Sequence, residues 1–94
     1  MENKPPYLTN VRQIRLLTPN EAQKGIPVKL HGVITYYDAR SNDLFVQDAT
    51  AGIYVVLNTN VCDRLAAGQS VEIAGITDVG DFAPVVKANA MRLT

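Results

Sequence analysis

Apolar side chains fall on every second position through most of this chain, and turn-forming residues separate the runs. In Leu44-Phe45-Val46-Gln47-Asp48-Ala49-Thr50-Ala51-Gly52-Ile53-Tyr54-Val55-Val56-Leu57, Leu44, Val46, Ile53, Val55 and Leu57 share one side. Phe45, Gln47, Tyr54 and Val56 share the other, because strand side chains alternate between faces. This predicts two strands joined at a tight turn that Asp48 opens and Gly52 closes. Upstream, Val28, Leu30, Gly32, Ile34 and Tyr36 keep period two from Val28 to Asp38, a long strand with a glycine near its middle, where a bulge or bend is permitted. The polar run Asp38 to Asp43 turns it into the second strand, so three strands form an antiparallel meander. Val71, Ile73 and Gly75 restart the alternation. Asp78-Val79-Gly80-Asp81 then turns into a last strand from about Pro84 to Leu93.

Helical signals flank the strands. Residues 1–10, with Pro5 and Pro6, read as a tail or linker, since proline resists both helix and central strand. Thr9 and Asn10 can cap a helix carrying Val11, Ile14 and Leu17, and Thr18-Pro19-Asn20-Glu21 repeats a start signal before Gly25. Asn60 to Gly68 carries an asparagine cap, an acid three residues later, the apolar pair Val61 and Leu65, and a closing glycine. That predicts about two turns of helix between strands three and four. Residues 11–94 are expected to form one domain, with 11–25 a helical preface and 26–94 the sheet.

At 94 residues the chain has room for one core but not for two. Hydrophobic residues make up 47% and charged residues 19%, a balance that favours folding over disorder. Nine basic residues offset nine acidic ones, which removes the whole-domain attraction that drives nonspecific nucleic-acid binding but leaves room for a local basic groove. Cys62 is the single cysteine, so an intrachain disulfide and a thiolate zinc site are excluded. No apolar run approaches the roughly 20 residues that span a bilayer, and no membrane insertion by this segment is expected.

Five strands, a helix between the third and fourth, and glycines in the long first and fourth strands describe an all-β, five-stranded Greek-key barrel. Such a sheet closes only if the strands shared between its halves coil strongly, and Gly32 and Gly75 relieve crowding at those corners. The stretch Phe45 to Val55 resembles the strand-two, strand-three signature of bacterial and single-strand-binding OB-folds. Pro27 to Tyr37 and Ala67 to Gly75 resemble the first and fourth strands of the same class. With its helical preface the chain is also similar to OB modules in extracytoplasmic regions of bacterial sensor kinases and exported proteins, which implies an extracytoplasmic, periplasmic setting, while its cysteine content leaves a cytoplasmic one open.

The resemblance implies that ligand sits on the outward side of strands two and three, at Phe45, Gln47, Tyr54 and Val56. Phe45 and Tyr54 can stack on a ring and Gln47 can hydrogen-bond its edge; the alternative use of these aromatics is packing under the preface or a neighbouring domain. Lys29, Arg40, Lys87 and Arg92 would supply phosphate contacts if their strands present them on that side, with Lys29 and Lys87 the candidates carried forward. Asp38, Asp43, Asp48, Asp78 and Asp81 make both main loops acidic and oppose a phosphate backbone. Their spacing fits no calcium loop, and Asp38, Asp48, Asp78 and Asp81 read as turn formers. His31 has no serine, cysteine or second histidine placed to work with it, Cys62 has no basic neighbour or partner cysteine, and no phosphate loop or nucleophile elbow is present. The expectation is a non-catalytic binding module without cofactor, taking a small ligand, glycan, peptide or protein domain, with single-stranded nucleic acid as the alternative.

Overall fold

The computed structural model describes residues 7–57 and 65–94. Five strands, β1 (Pro27–Asp38), β2 (Asp43–Gln47), β3 (Gly52–Leu57), β4 (Ser70–Asp78) and β5 (Val85–Leu93), close into a barrel in the order β1-β2-β3-β5-β4. All neighbouring pairs are antiparallel except β3 with β5, where Val55–Leu57 runs parallel to Val86–Ala88. This is the Greek-key OB-fold that the alternation predicts. The expected helix between β3 and β4 falls largely, with Cys62, outside the described residues.

The inward positions are those that period two selects. Val28, Leu30, Ile34, Leu44, Val46, Ile53, Val55, Val71, Ile73, Val86 and Ala88 are buried in one cluster, and removing such side chains from water is the main stabilising contribution to a domain of this size. Gly32 and Gly75 lie on the same inward rows, and backbone crosses close above each. A Cβ on Gly32 would sit 2.6 Å from the Gln47 carbonyl oxygen, and one on Gly75 would collide with the Lys87 carbonyl. Their role is to let strands cross closely at the barrel corners.

One bulge departs from the expected pattern. Ile34 pairs with Val46, but Tyr36 pairs with Phe45, so Thr35 is the extra residue on β1 and the strand's parity flips there. The bulge falls at Thr35 and not at Gly32. Tyr36, expected in the core, turns outward and is half exposed, while Tyr37 turns in against the core. A second shift, between Ala74 and Gly75 against β5, does coincide with a glycine.

The preface forms as two short helices, α1 (Val11–Arg15) and α2 (Pro19–Ala22), each opened by a reciprocal capping box: Asn10 with Gln13, and Thr18 with Glu21. Helices this short are not stable alone. α1 sinks Val11 and Ile14 into the barrel core. Its first amides are held by the β2–β3 turn, with Val11 N–H donating to Asp48 Oδ2 at 2.8 Å and Arg12 N–H to Thr50 Oγ1 at 3.0 Å. α2 is held through Thr77, whose buried hydroxyl donates to the Ala22 carbonyl at 2.8 Å and accepts from Ile26 N–H at 2.9 Å. Ahead of α1, Leu8 makes a parallel bridge to Val28 at the edge of β1.

Candidate functional site

The outward rows of β1, β2 and β3 bring three aromatic rings together. Phe45 and Tyr54 face each other across β2–β3 with ring centroids 5.1 Å apart, and Tyr36 meets Phe45 edge-on at 6.1 Å. Both spacings lie in the range of favourable aromatic pairs. Phe45 remains 41% and Tyr36 50% exposed, so the preface does not cover this row. Tyr36 escapes a strict period-two reading because of the Thr35 bulge. The only trace in the sequence is the doublet Tyr36-Tyr37, which gives the strand an aromatic for either parity.

A groove of ≈ 530 Å³ runs from this row to the β4–β5 loop, lined by Phe45, Tyr54, Val56, Arg15, Lys87 and residues 78–85. The loop contributes Phe82, which is fully exposed, and the half-exposed Val79. A phenyl ring held entirely in water at the rim of an aromatic groove is the largest uncompensated apolar exposure among the described residues. Alternation could not single out Phe82, which lies outside every strand. Arg15 was equally hidden, since only the docking of α1 brings its guanidinium to the Gly52 carbonyl at 3.2 Å.

Lys87, Asp78 and Asp43, around the groove, are already engaged. Lys87 Nζ pairs with Asp78 Oδ2 at 2.9 Å, and the hydrogen bond from Lys87, helped by Val79 N–H, holds the Asp78 carboxyl below its ordinary pKa. Tyr54 donates its hydroxyl to Asp43 Oδ1 at 2.8 Å. That bond, with partial burial and the nearby negative charge, raises the Tyr54 pKa. At the β1–β2 turn, Asp38 accepts from Arg40 N–H at 2.9 Å and pairs with its guanidinium at 3.4 Å. Asp48 accepts from the Thr50 amide, the Thr50 hydroxyl and the Ala51 amide as well as from Val11. Burial works against its ionisation, but these hydrogen bonds outweigh burial and lower its pKa. Asp38 and Asp48 therefore form turns, as their positions predict, whereas Asp78, the last residue of β4, holds only the next amide and Lys87, and Asp81 lies in the bend beyond it.

Of the residues expected to act together, Phe45, Tyr54, Val56 and Lys87 line one groove. Gln47 and Lys29 do not. Gln47 lies at the far end of β2, in a separate hollow with His31, Val33 and Thr35. Lys29 lies on the β1–β4–β5 side with Arg92, in a different groove of ≈ 610 Å³. The reason is that β1 is shared: its first half pairs with β4 and its second half with β2, so residues of the two halves project from different sides of the barrel. In the Lys29 groove, the lysine head lies 4.9 Å from the centre of the Tyr7 ring, Arg92 pairs with Glu72, and His31 Nε2 meets Thr94 Oγ1 at 3.3 Å. Arg40 is exposed at the β1–β2 turn. Among the described residues no group of three His, Cys, Asp or Glu is arranged to hold a metal ion, and no helix is long and apolar enough to cross a membrane.

No protein-family model matches the chain, and no curated protein matches it by sequence. Solved structures do match by fold. The telomere capping protein Ten1 of S. pombe superposes with a TM-score of 0.67 at 14% identity, over 96% of this chain and 81% of that one. A chain of the S. pombe Stn1–Ten1 complex gives 0.70 at 13% identity, over 100% and 80%. The hypothetical protein YgiW of E. coli gives 0.69 at 19% identity, over 94% and 89%. At such identities the likeness establishes a common OB-fold, and any function is argued from the groove.

Proposed function

We propose that this domain is a non-catalytic binding module whose ligand lies on the β2–β3 face, across Tyr36, Phe45 and Tyr54 and against the β4–β5 loop, in a ligand-sensing or protein-interaction role. The observation that carries this reading is the open aromatic row beside the fully exposed Phe82. Covering that surface removes apolar area from water with little reorganisation of a rigid sheet. The absence of catalysis is part of the proposal: the groove's described lining holds no histidine, and the Asp43 and Asp78 carboxylates beside it are committed to Tyr54 and Lys87. A place in a larger bacterial protein, in the extracytoplasmic region of a sensor kinase or an exported protein, belongs to the same proposal and rests on the motif resemblance.

Single-stranded nucleic acid is the second reading. The row of rings favours it, since successive bases stack on such platforms. A telomere capping protein among the fold neighbours is compatible with it. Charge argues against it: Lys87 and Arg40 are each paired with a carboxylate beside the row, which leaves little basic surface for a phosphate backbone. The test is an NMR shift titration of the labelled domain with a single-stranded oligonucleotide at low and moderate salt, then with a panel of small glycans and peptides. Shifts at Tyr36, Phe45 and Tyr54 from a peptide or glycan are expected. Salt-sensitive shifts there from the oligonucleotide alone would reverse the ranking, and silence at these residues throughout would overturn the binding role.

A further inference from the structure

The aromatic row ends in like charges. Asp38 and Asp43 stand directly opposite each other at the end of the β1–β2 ladder, on the same outward rows as Tyr36, Phe45 and Tyr54. Two carboxylates across a strand pair repel. In the free domain they are held by neutral donors and one exposed guanidinium: Asp43 takes the hydroxyls of Tyr54 and Ser41, and Asp38 takes Arg40. At the opposite rim, Asp78 uses up Lys87, and Asp81 adds a further carboxylate to the lining. Arg15, the remaining cation of the groove, turns its guanidinium to the Gly52 carbonyl. The floor is therefore a π surface and both rims carry negative charge.

Resting on the reading of this face as a binding site, we propose that its occupant is an extended basic segment of a partner protein. An arginine or lysine stem would lie along Phe45 and Tyr54, with its cationic head at Asp43 and Asp38. The aromatic faces attract a cation through their quadrupole, the long aliphatic stem covers ring surface that is now in water, and the head relieves the Asp38–Asp43 repulsion. An acidic or phosphate-bearing ligand gains from the rings but meets repulsion at both ends of the row.

The test uses the whole 94-residue chain, ¹⁵N-labelled, and three probes of matched length: a six-residue peptide alternating glycine and arginine, its glutamate counterpart, and an oligothymidylate. The arginine peptide is expected to shift Tyr36, Phe45 and Tyr54 and to bind more tightly than the other two. Asp43→Asn keeps an acceptor for the Tyr54 hydroxyl while removing the charge, and is expected to weaken the arginine peptide about twofold to fivefold, the size of an exposed ion pair, with an unchanged melting temperature. Equal or tighter binding of the glutamate peptide or of the oligothymidylate on the same face would sink the basic-segment proposal and leave the binding face standing. Arginine-peptide shifts confined to other residues, or no shift from any probe, would remove both. Binding that Asp43→Asn leaves untouched would overturn the assigned role of the carboxylates.

Discussion

The barrel has two outer surfaces that solve the same problem in opposite ways. On the β1–β4–β5 side, charges are matched within the fold: Glu72 stands opposite Arg92 in the β4–β5 register and pairs with it, Lys29 lies over Tyr7, and His31 meets Thr94. On the β2–β3 side the aromatic rings stay open, a fully exposed Phe82 stands beside them, and Asp38 faces Asp43. Exposed ion pairs contribute only about 0–1 kcal/mol each, so the first surface adds little stability, but its Lys29, Glu72 and Arg92 already have partners within the fold. The second has both apolar area to cover and a charge imbalance to neutralise. A hollow of similar size exists on each side, so shape does not distinguish them; the chemistry of the walls does.

The largest perturbation should abolish the contrast by removing both surfaces. Gly75→Ala drives a Cβ into the Lys87 carbonyl, a backbone group that cannot rotate away, and should cost about 2–3 kcal/mol or prevent folding, read by denaturant unfolding. The sharpest separation of the two faces comes next. Phe45→Ala should lower stability by about 1 kcal/mol, since the ring is partly exposed, yet weaken whichever panel probe binds by about tenfold or more, as measured by titration calorimetry. A variant that lost stability heavily and kept its affinity would make Phe45 a packing residue.

Acid should act on the junction between preface and barrel. The Asp48 carboxyl has a pKa lowered by folding, so the unfolded chain binds more protons in acid than the folded one. Its stabilisation is complete above the unfolded-state pKa and is lost as pH falls through the folded one. Asp48→Asn should therefore flatten the acid limb of a stability profile; an unaltered limb would mean that the Asp48 contacts carry no pH dependence. The smallest effect is expected on the matched surface. Arg92→Ala should change stability by no more than about 0.5 kcal/mol and leave probe binding as it was, and a binding loss there would show that the sides had been wrongly ranked.

Period two was enough to sort Leu44, Val46, Ile53, Val55 and Leu57 from Phe45 and Tyr54, because a strand with one buried face permits a single parity. Turn chemistry at Asp48 and the caps at Asn10 and Thr18 were equally local. What escaped the sequence was tertiary. The Thr35 bulge swaps Tyr36 for Tyr37, and two adjacent tyrosines conceal the swap. Lys29 and Lys87 look alike in an alternating strand, but the division of β1 between two neighbours sends Lys29 to the far side of the barrel. Arg15 and Phe82 enter the groove through the docking of α1 and the path of a loop, neither of which any spacing rule encodes.

The parallel contact between β3 and β5 has a consequence for motion. It joins Val55–Leu57 to Val86–Ala88, segments far apart in the chain, through the shortest ladder in the barrel, whereas β4–β5 and β1–β4 run along most of their strands. We expect this seam to part first, since its hydrogen bonds are few. Amide hydrogen exchange would then find Val86–Ala88 opening locally while the β1–β4 amides wait for global unfolding, and equal protection along both would refute it. Val56 and Lys87, on that seam, also line the groove. A ligand gripping both would act as a clasp, slowing the unzipping of the barrel that holds it.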